Sequence, residues 1–359
     1  MKKLVSVPAN DTFGALNLML DVLEGKVAGF ITPSEVNGVK PEVEGLPEEV
    51  SDAVGLVVES SGSTGTPKRI ELSPAALRAS GEAVLNRLGG PGQWLLALPI
   101  NFIAGANVLI RSVLSDSQPV MLNTRMPFTV EAFVRGASLM DGARRYTSLV
   151  PVQLAKIAAE AKHDAFVFSM LRKFDAILVG GQQPNWADVQ ELISRGVNVV
   201  VSYGMTETGG GCVFDGEPLD GVSYRLQDGL IEIAGPTLAE GSGPWFQTND
   251  VGEIVDGKLI VVGRADRVII SGGIKIALDR VEQAALDLPG VEDVAAVALP
   301  TDWGESVGLV YAGSPEVNFD ALSEISMAAK VHKSLRVSEL PRLVSGKPDL
   351  LACAKLLAD

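Results

Sequence analysis

The order of strand-like and helix-like patterns constrains the fold of this chain most strongly. Through the first two-thirds, short apolar runs typical of buried strands, such as residues 53–58, alternate with segments of helical periodicity. This alternation predicts sheets of parallel strands that are covered by helices. Further on, Asp228-Gly229 and Asp256-Gly257 each separate two alternating runs, which indicates two hairpins in a small antiparallel, barrel-like sheet.

The last part of the chain predicts a second, smaller domain. After residue 264 the patterns indicate a hairpin, a helix near residues 279–287, two strands and a further helix over residues 319–332. With 359 residues, the chain is long enough for one large and one small domain. We expect an α/β and α+β protein with a large N-terminal domain (residues 1–264) of helix-covered sheets plus the barrel-like sheet, and a small α+β C-terminal domain (residues 265–359).

Composition narrows the class of protein. Hydrophobic residues make up 47% of the chain and charged residues 21%, which is typical of a globular protein. The net charge of −14 argues against a general basic surface for nucleic acid. The N-terminus has two lysines but no sustained apolar run, and no window reaches the length of a membrane span. We therefore expect no signal peptide, no membrane span and a cytoplasmic location.

Cysteine and histidine usage excludes several kinds of site. Cys212 and Cys353 are the only cysteines, and they indicate neither a disulfide framework nor a metal site. The two histidines, His163 and His332, lie in no motif, and no Gly-x-Ser-x-Gly elbow is present. The sequence therefore argues against a histidine-bound zinc and a serine hydrolase.

A hydroxyl-rich glycine loop follows the strand at residues 53–58. Residues 60–68 read Ser-Ser-Gly-Ser-Thr-Gly-Thr-Pro-Lys. Glycines let backbone N–H groups converge, hydroxyls donate further hydrogen bonds and the lysine supplies a cation, so the loop suits phosphate oxygens. It does not have the G-x-x-x-x-G-K-[ST] spacing. Taken alone, a flexible linker remains an alternative.

Further motifs follow in a fixed order. They are Tyr-Gly-Met-Thr-Glu at residues 203–207, Thr-Asn-Asp at 248–250, Gly-Arg-Ala-Asp at 263–266, Ser-Gly-Gly-Ile-Lys at 271–275, and a segment from Pro341 that ends in Ser-Gly-Lys at Lys347. Together with the loop, they resemble the core motifs of the adenylate-forming superfamily, which includes the acyl-CoA synthetases. The resemblance covers most of the chain, from about residue 54 to 350.

Two longer segments carry a narrower resemblance. Residues 146–154 (Tyr-Thr-Ser-Leu-Val-Pro-Val-Gln-Leu) and 203–222 look like the o-succinylbenzoate–CoA ligase family of menaquinone biosynthesis, in its short actinobacterial form. This resemblance implies ATP-dependent ligation of o-succinylbenzoate to CoA through an acyl-adenylate. The cofactors and partners implied are ATP, Mg²⁺, CoA as co-substrate and a small-molecule acid.

The resemblance also implies the nucleotide site. The residues expected to hold the β- and γ-phosphates are Ser60, Ser61, Ser63, Thr64 and Lys68, and Gly62 and Gly65 of the same loop are expected to bind ATP. Thr206 is expected at the α-phosphate and Glu207 at Mg²⁺, a hard cation that favours carboxylate oxygen. The expected adenine and ribose residues are Gly180, Gly181, Gln182, Tyr203, Gly204, Asp250 and Arg264. The alternatives stay open that Gly180-Gly181 is an ordinary turn and Asp250 an exposed hairpin carboxylate.

The C-terminal motifs imply a mobile domain. Asp266 matches the hinge about which the family's C-terminal lid rotates between half-reactions. Gly272 and Gly273 are expected to let the backbone approach CoA, and Lys347 is expected to be the catalytic lysine of adenylate formation, with Thr206 and Glu207. The family often has a second acid after the hinge residue, where this chain has Arg267.

The acid pocket is less completely specified. The resemblance places Phe102, Ser148, Gly209 and Gly210 there. Where the family commonly has a histidine pair after Leu-Pro, this chain has Asn101 and Phe102, so any histidine role is absent. Besides Ser148, the candidates to hold a second carboxylate are Arg144 and Arg145, by proximity in sequence alone.

Other functions stay open from the sequence. A ligase of the same mechanism could act on another aryl or medium acyl acid, and an adenylation enzyme could load a separate carrier protein. A non-catalytic nucleotide binder is a third possibility, but the presence of both Glu207 and Lys347 argues against it. No helix shows a heptad seam, and a homo-oligomer stays open.

Overall fold

The structure is a computed structural model that describes residues 1–34, 43, 45–60, 68–271, 273–301, 304–315, 317–324, 329–343 and 347–358. The chain divides into two compact units. Unit 1 comprises residues 1–184, 188–224 and 233–246, and unit 2 comprises residues 185–187, 225–232 and 247–359. Unit 2 therefore includes residues 247–264, which the sequence analysis assigned to the N-terminal domain. The domain boundary at residue 264 stays a prediction.

Unit 1 begins with a mixed five-stranded sheet. Its strands are β1 (Lys2–Pro8), β2 (Ala28–Thr32), β3 (Glu49–Val50), β4 (Leu56–Ser60) and β5 (Lys68–Leu72), in the order β3-β1-β2-β4-β5. β1, β2 and β4 are parallel, whereas β4 and β5 pair antiparallel and bring Ser60 opposite Lys68. The two ends of the hydroxyl-rich loop are therefore adjacent.

A second, seven-stranded sheet forms the larger part of unit 1. Its strands are β6 (Gln93–Leu96), β7 (Val120–Met121), β8 (Arg145–Leu149), β9 (Ala176–Gly180), β10 (Val199–Met205), β11 (Gly210–Phe214) and β12 (Glu217–Pro218), in the order β12-β11-β10-β9-β8-β6-β7. Strands β6 to β10 are parallel, and β11 and β12 join antiparallel at one edge. The predicted helix-covered parallel sheet is confirmed.

Helices pack against the two sheets of unit 1, where they cover the apolar faces of the strands. They are α1 (Thr12–Leu23), α2 (Pro74–Arg87), α3 (Ile103–Leu114), α4 (Val130–Ser138), α5 (Pro151–Ala161), α6 (Ala165–Leu171) and α7 (Trp186–Ser194). Leu149, Ile177 and Val179 pack with residues of α4 to α7 in one core. Helix α2 begins as its sequence predicts, because Ser73 Oγ accepts from the backbone N–H of Ala76 and Pro74 occupies the first turn.

The predicted hairpins form a four-stranded sheet. Its strands, in order, are β13 (Ser223–Gln227), β14 (Leu230–Ala234), β15 (Phe246–Val255) and β16 (Lys258–Arg264). Asp228 and Gly229 have φ of 53° and 82°, and Asp256 and Gly257 have φ of 50° and 77°. Two successive positive φ angles are what a tight two-residue hairpin turn requires, so these dipeptides set the register of both hairpins.

Unit 2 continues into an α+β segment. It contains β17 (Val268–Ser271), β18 (Ile274–Ala277), α8 (Leu278–Leu286), β19 (Val291–Thr301), β20 (Gly304–Gly313), β21 (Val331–Val337) and α9 (Leu350–Ala358). The predicted helix over residues 319–332 is wrong. Residues Phe319–Glu324 form a short 3₁₀-helix, and β21 adds to the sheet parallel to β20. The edge of β20 is available there, and strand pairing satisfies the backbone groups of residues 331–337.

Candidate active site

Strand β10 ends in a tight turn that carries two predicted catalytic residues. Thr206 and Glu207 lie in the 3₁₀-helix Thr206–Thr208 between β10 and β11. The backbone N–H of Met205 donates to Thr208 Oγ1 at 2.9 Å, and Gly209 closes the turn with φ 66°. A turn at the carboxyl end of a parallel strand is where open α/β sheets bind ligands.

Glu207 lies beside the lysine that follows the glycine loop. Lys68 Nζ is 3.9 Å from Glu207 Oε1, and the lysine side chain is 69% exposed whereas that of Glu207 is 19% exposed. Ser60 Oγ donates to the backbone oxygen of Lys68 at 3.2 Å. Two predicted ATP-site residues, Ser60 and Lys68, and the predicted magnesium ligand Glu207 therefore lie together in unit 1. The predicted loop residues lie outside the described residues; they are Ser61, Gly62, Ser63, Thr64 and Gly65.

The donor set around Glu207 fits a magnesium ion that is shared with a nucleotide. Among the described residues, no group of three or more His, Cys, Asp or Glu side chains could hold a metal ion. Mg²⁺ needs no such group, because it is commonly bound through one or two carboxylates plus phosphate oxygens and water. Glu207, with the cation of Lys68 3.9 Å away, has this chemistry.

The predicted adenine residues lie at the ends of neighbouring strands. Gly180 ends β9 and pairs with Ser202 of β10, directly before Tyr203. A Cβ on Gly180 would lie 2.6 Å from the Ser202 backbone oxygen, so only glycine allows this approach of the two strands. Gly181 follows with φ 86°, which directs the chain out of the sheet towards Gln182. A Cβ on Gly204 would collide with the backbone of Gly210.

The predicted ribose and hinge residues form one network in unit 2. Asp250 and Arg264 are opposite each other on β15 and β16, and Arg264 Nη1 lies 3.9 Å from Asp250 Oδ1. Arg264 also donates to both carboxylate oxygens of Asp266, at 2.8 and 2.6 Å. Asn249 Nδ2 donates to the same carboxylate at 3.3 Å. The arginine and its hydrogen bonds lower the pKa of Asp266, so this carboxyl stays ionised near neutral pH.

The remaining C-terminal predictions are also in unit 2. Gly273 has φ 82° in the turn between β17 and β18, a conformation that glycine adopts without strain. Gly272 lies outside the described residues. Lys347 is exposed, and its backbone oxygen accepts from the N–H of Leu343 at 2.8 Å.

A buried arginine that the sequence analysis did not select lies in unit 1. Arg111 of α3 is 5% exposed, and its Nη2 donates to Ser148 Oγ at 3.3 Å. Its Nε has no hydrogen-bond partner, and no ion pair to Arg111 occurs among the residues that the structure describes. Burial without a counter-ion lowers its pKa to about 9. The available signal was a single charge, Arg111, within the otherwise largely apolar segment of residues 103–114.

The two arginines that were proposed from sequence proximity are placed differently. Arg145 begins β8 and Ser148 follows three residues later, so their side chains point to opposite faces of the sheet. Arg145 Nε donates to the Gly142 backbone oxygen at 3.1 Å. Arg144 precedes the strand, where it lines a shallow surface cavity with Gln93 and Asp141. Arg111 is therefore the cation next to Ser148.

Gly209 and Gly210 contact helix α3, which also carries Arg111. Asn107 Nδ2 and Ser80 Oγ both donate to the Gly209 backbone oxygen, at 2.9 and 3.1 Å. A Cβ on Gly210 would collide with Asn107 Nδ2. Phe102 is the N-cap residue of α3 and is partly buried. The predicted pocket residues thus lie along α3, from its N-cap residue Phe102 to Arg111, which contacts Ser148.

Comparison with known proteins agrees with this arrangement. A family model described as AMP-binding enzyme matches residues 11–239. The probable 2-succinylbenzoate–CoA ligase of Mycobacterium tuberculosis is 40% identical over 335 residues, which cover 87% of this chain and 86% of the relative. The chain belongs to the AMP-binding enzyme family. The family model spans the turn with Thr206 and Glu207, and the longer match to the relative covers most of the chain.

Solved structures show that this AMP-binding enzyme shares its fold with known ligases. The o-succinylbenzoate CoA synthetase from Bacillus subtilis in complex with the acyl-adenylate intermediate OSB-AMP matches with TM-score 0.73 and 22% identity, over 94% of this chain and 80% of that chain. The same synthetase with ATP and a magnesium ion matches with TM-score 0.71 and 22% identity, over 94% and 76%. The predicted fold class is confirmed.

Proposed function

We propose that this AMP-binding enzyme is an acid–CoA ligase that joins 2-succinylbenzoate to CoA and cleaves ATP to AMP and pyrophosphate. The aliphatic carboxylate attacks the α-phosphorus of ATP, an acyl-adenylate forms and pyrophosphate leaves. The thiol of CoA then attacks the acyl carbon, its proton is lost, and AMP leaves as 2-succinylbenzoyl-CoA forms. The substrates are thus an acid, ATP and CoA, and the reaction is a step of menaquinone biosynthesis.

The observation that carries the acid assignment is Arg111. The substrate has a second carboxylate on its aromatic ring that must stay ionised while the other is activated. A buried carboxylate without a partner is strongly unfavourable, so the pocket needs a cation or several donors. Arg111 is a buried cation without an acidic partner among the described residues, and it lies 3.3 Å from the Ser148 hydroxyl. The Arg111 cation and the ring carboxylate each offset the cost of removing the other from water.

The nucleotide end of the site is assigned from charge and geometry. Lys68 and Ser60, with the loop between them, are proposed to hold the β- and γ-phosphates, and Thr206 the α-phosphate. Glu207 is proposed to hold Mg²⁺, which neutralises charge on the phosphates when it is bound. The distance of 3.9 Å between Lys68 Nζ and Glu207 Oε1 supports both assignments. A phosphate with its bound Mg²⁺ can interact with both side chains at once, the phosphate with the lysine and the metal with the glutamate.

Unit 2 is proposed to supply the ribose contacts and the catalytic lysine. Asp250, which is 9% exposed, accepts hydrogen bonds from the ribose hydroxyls, and Arg264 lies beside it. Lys347 stabilises the crowded negative charge on the α-phosphate and the attacking carboxylate during adenylate formation. Asp266 is the hinge residue between the two half-reactions, and Gly272 and Gly273 let CoA approach the backbone. Since ATP and CoA are both consumed, we place the reaction in the cytoplasm.

The test compares two acids that differ by one carboxylate. Thioester formation is measured with 2-succinylbenzoate and with benzoylpropionate, which lacks the ring carboxylate. Because a site built around a charge leaves its polar groups unpaired when that charge is missing, benzoylpropionate should react with kcat/KM at least about a hundredfold lower. Comparable values for both acids would contradict the 2-succinylbenzoate assignment, and transfer to a carrier protein in place of CoA would contradict the ligase assignment.

A further inference from the structure

The Gly209–Gly210 peptide is held by side chains from two different helices. Its carbonyl oxygen accepts from Ser80 Oγ of α2 at 3.1 Å and from Asn107 Nδ2 of α3 at 2.9 Å. Gly209 has φ 66° and Gly210 has φ 101°, so the chain turns sharply where it is held. A peptide with two donors on one oxygen has a fixed orientation, whereas glycines without such contacts would be mobile.

Asn107 also occupies the space that a side chain on Gly210 would need. It is 5% exposed, and a Cβ on Gly210 would collide with its Nδ2. Helix α3 and the start of β11 are therefore complementary at this point. The size of residue 107 decides how closely the strand approaches the helix.

Asn107 is one helical turn from the buried cation. Residues four apart in a helix lie on the same face, so Asn107 and Arg111 line the same side of α3. Asn107 Oδ1 and Arg111 Nε are both buried, and neither has a hydrogen-bond partner among the residues that the structure describes. Buried polar atoms without partners are uncommon, and here two of them occur on one helix beside the glycine turn.

We propose that Asn107 sets the selectivity of the enzyme for its acid substrate. It fixes the Gly209–Gly210 peptide, which forms one wall of the acid pocket, at the distance from Arg111 that a ring carboxylate requires. This inference rests on the proposed ligase function and adds a positioning role for a residue that does not itself contact the reacting atoms. Ser80 supports the same wall from α2. Loss of either donor lets the wall move, and the ring carboxylate is then held less well against Arg111.

The test uses the ratio of kcat/KM for 2-succinylbenzoate to kcat/KM for benzoylpropionate. This ratio does not depend on the fraction of active enzyme, so a merely structural role of residue 107 would not change it. Asn107→Leu removes the donor at similar size and should lower the ratio about tenfold, while the KM for ATP changes by less than about twofold. Ser80→Ala should lower the ratio in the same direction by a smaller factor.

Ser112→Ala is the matched control. Ser112 is a fully buried polar residue of the same helix, but its hydroxyl donates to Val108 within α3 at 2.8 Å, so the ratio should not change. An unchanged ratio in both Asn107→Leu and Ser80→Ala would overturn the inference while the ligase function stands. If Asn107→Leu does not fold, Ser80→Ala alone decides. Absence of 2-succinylbenzoyl-CoA with the wild-type enzyme would instead contradict the proposed function.

Discussion

The guanidinium carbon of Arg111 lies 4.1 Å from the centroid of the Trp94 ring, and both residues are almost completely buried. The negative face of the indole offsets part of the cost of burying the cation. It does not replace an anion, because burial still lowers the pKa of Arg111 to about 9. The protein thus maintains a buried positive charge that has no acidic partner among the described residues.

Replacement of this cation should change which acid reacts. In Arg111→Gln, kcat/KM for 2-succinylbenzoate should fall about a hundredfold or more, because the ring carboxylate would be buried without its partner. The value for benzoylpropionate should change by less than about fivefold, since this acid makes no use of the charge. Arg87→Gln, at an exposed arginine 3.3 Å from Glu217, is the control. Equal losses for both acids would show that Arg111 has a structural role only.

The selectivity of the wild-type enzyme should depend on pH. Only the protonated guanidinium attracts the ring carboxylate, and the pKa of Arg111 in the free protein is about 9. As pH rises through 9, the cation is lost and kcat/KM for 2-succinylbenzoate should fall relative to that for benzoylpropionate. Because both acids use the same ATP and CoA, other titrations cancel in the ratio. A ratio that stays constant from pH 7 to about 10 would show that Arg111 remains charged throughout.

The two half-reactions should separate when Lys347 is replaced. Lys347→Ala should slow adenylate formation by about 10²–10³, the usual effect of removing one charge-stabilising donor, and leave thioester formation from supplied acyl-adenylate largely intact. Pyrophosphate release and thioester formation are measured separately. Lys355→Ala, at an exposed lysine of α9, should leave both steps unchanged. An equal loss in both half-reactions for Lys347→Ala would exclude the proposed role.

The backbone and the side chain of Asp266 can be tested apart. Asp266→Pro fixes φ and should let the acyl-adenylate form while CoA transfer falls sharply. Asp266→Ala keeps the backbone free and removes only the carboxylate that Arg264 and Asn249 hold, so it should retain more CoA transfer. If both half-reactions survive the proline, the hinge is at another residue, with Arg267 the next candidate.

Stability of unit 2 should depend on Arg267. Its side chain forms ion pairs with Asp279 and with Glu282, the latter at 2.6 Å, and all three are largely buried. Arg267→Gln leaves two acids without a cation and should lower the free energy of unfolding by about 3–5 kcal/mol at pH 7. Arg280→Gln, in an exposed pair with Glu253 at 2.8 Å, should cost less than about 1 kcal/mol.

The pH dependence of this loss has a definite sign. Burial raises the pKa of Glu282 above its usual value even with Arg267 present, and removal of the arginine should raise it further. A carboxyl whose pKa is higher in the folded protein binds a proton more readily there, so lowering the pH relieves the unpaired charge. The effect of Arg267→Gln in urea unfolding should therefore be smaller at about pH 5 than at pH 7. A larger effect at pH 5 would contradict the ion-pair explanation.

Several elements of the fold follow from local sequence. Ser73 caps α2 and Pro74 occupies its first turn, and Asp228-Gly229 predicted a hairpin turn that the structure contains. Capping and positive φ depend on residues that are adjacent in the chain, so sequence specifies them directly. The helix predicted over residues 319–332 was wrong, because β20 offers an edge on which residues 331–337 pair as a strand.

The sequence by itself determined the family and the motifs in their order, since each motif is a short contiguous segment whose chemistry can be read from its residues. It also gave Ser148, Gly209 and Gly210 as parts of an acid pocket by resemblance. Only the tertiary structure decided which cation serves Ser148, because Arg111 is 37 residues away and its burial and lack of an acidic partner arise from packing. The same holds for Asn107, whose contact with Gly209 joins residues 102 positions apart. Contacts between distant segments depend on how the helices pack on the sheet, and no local pattern encodes them.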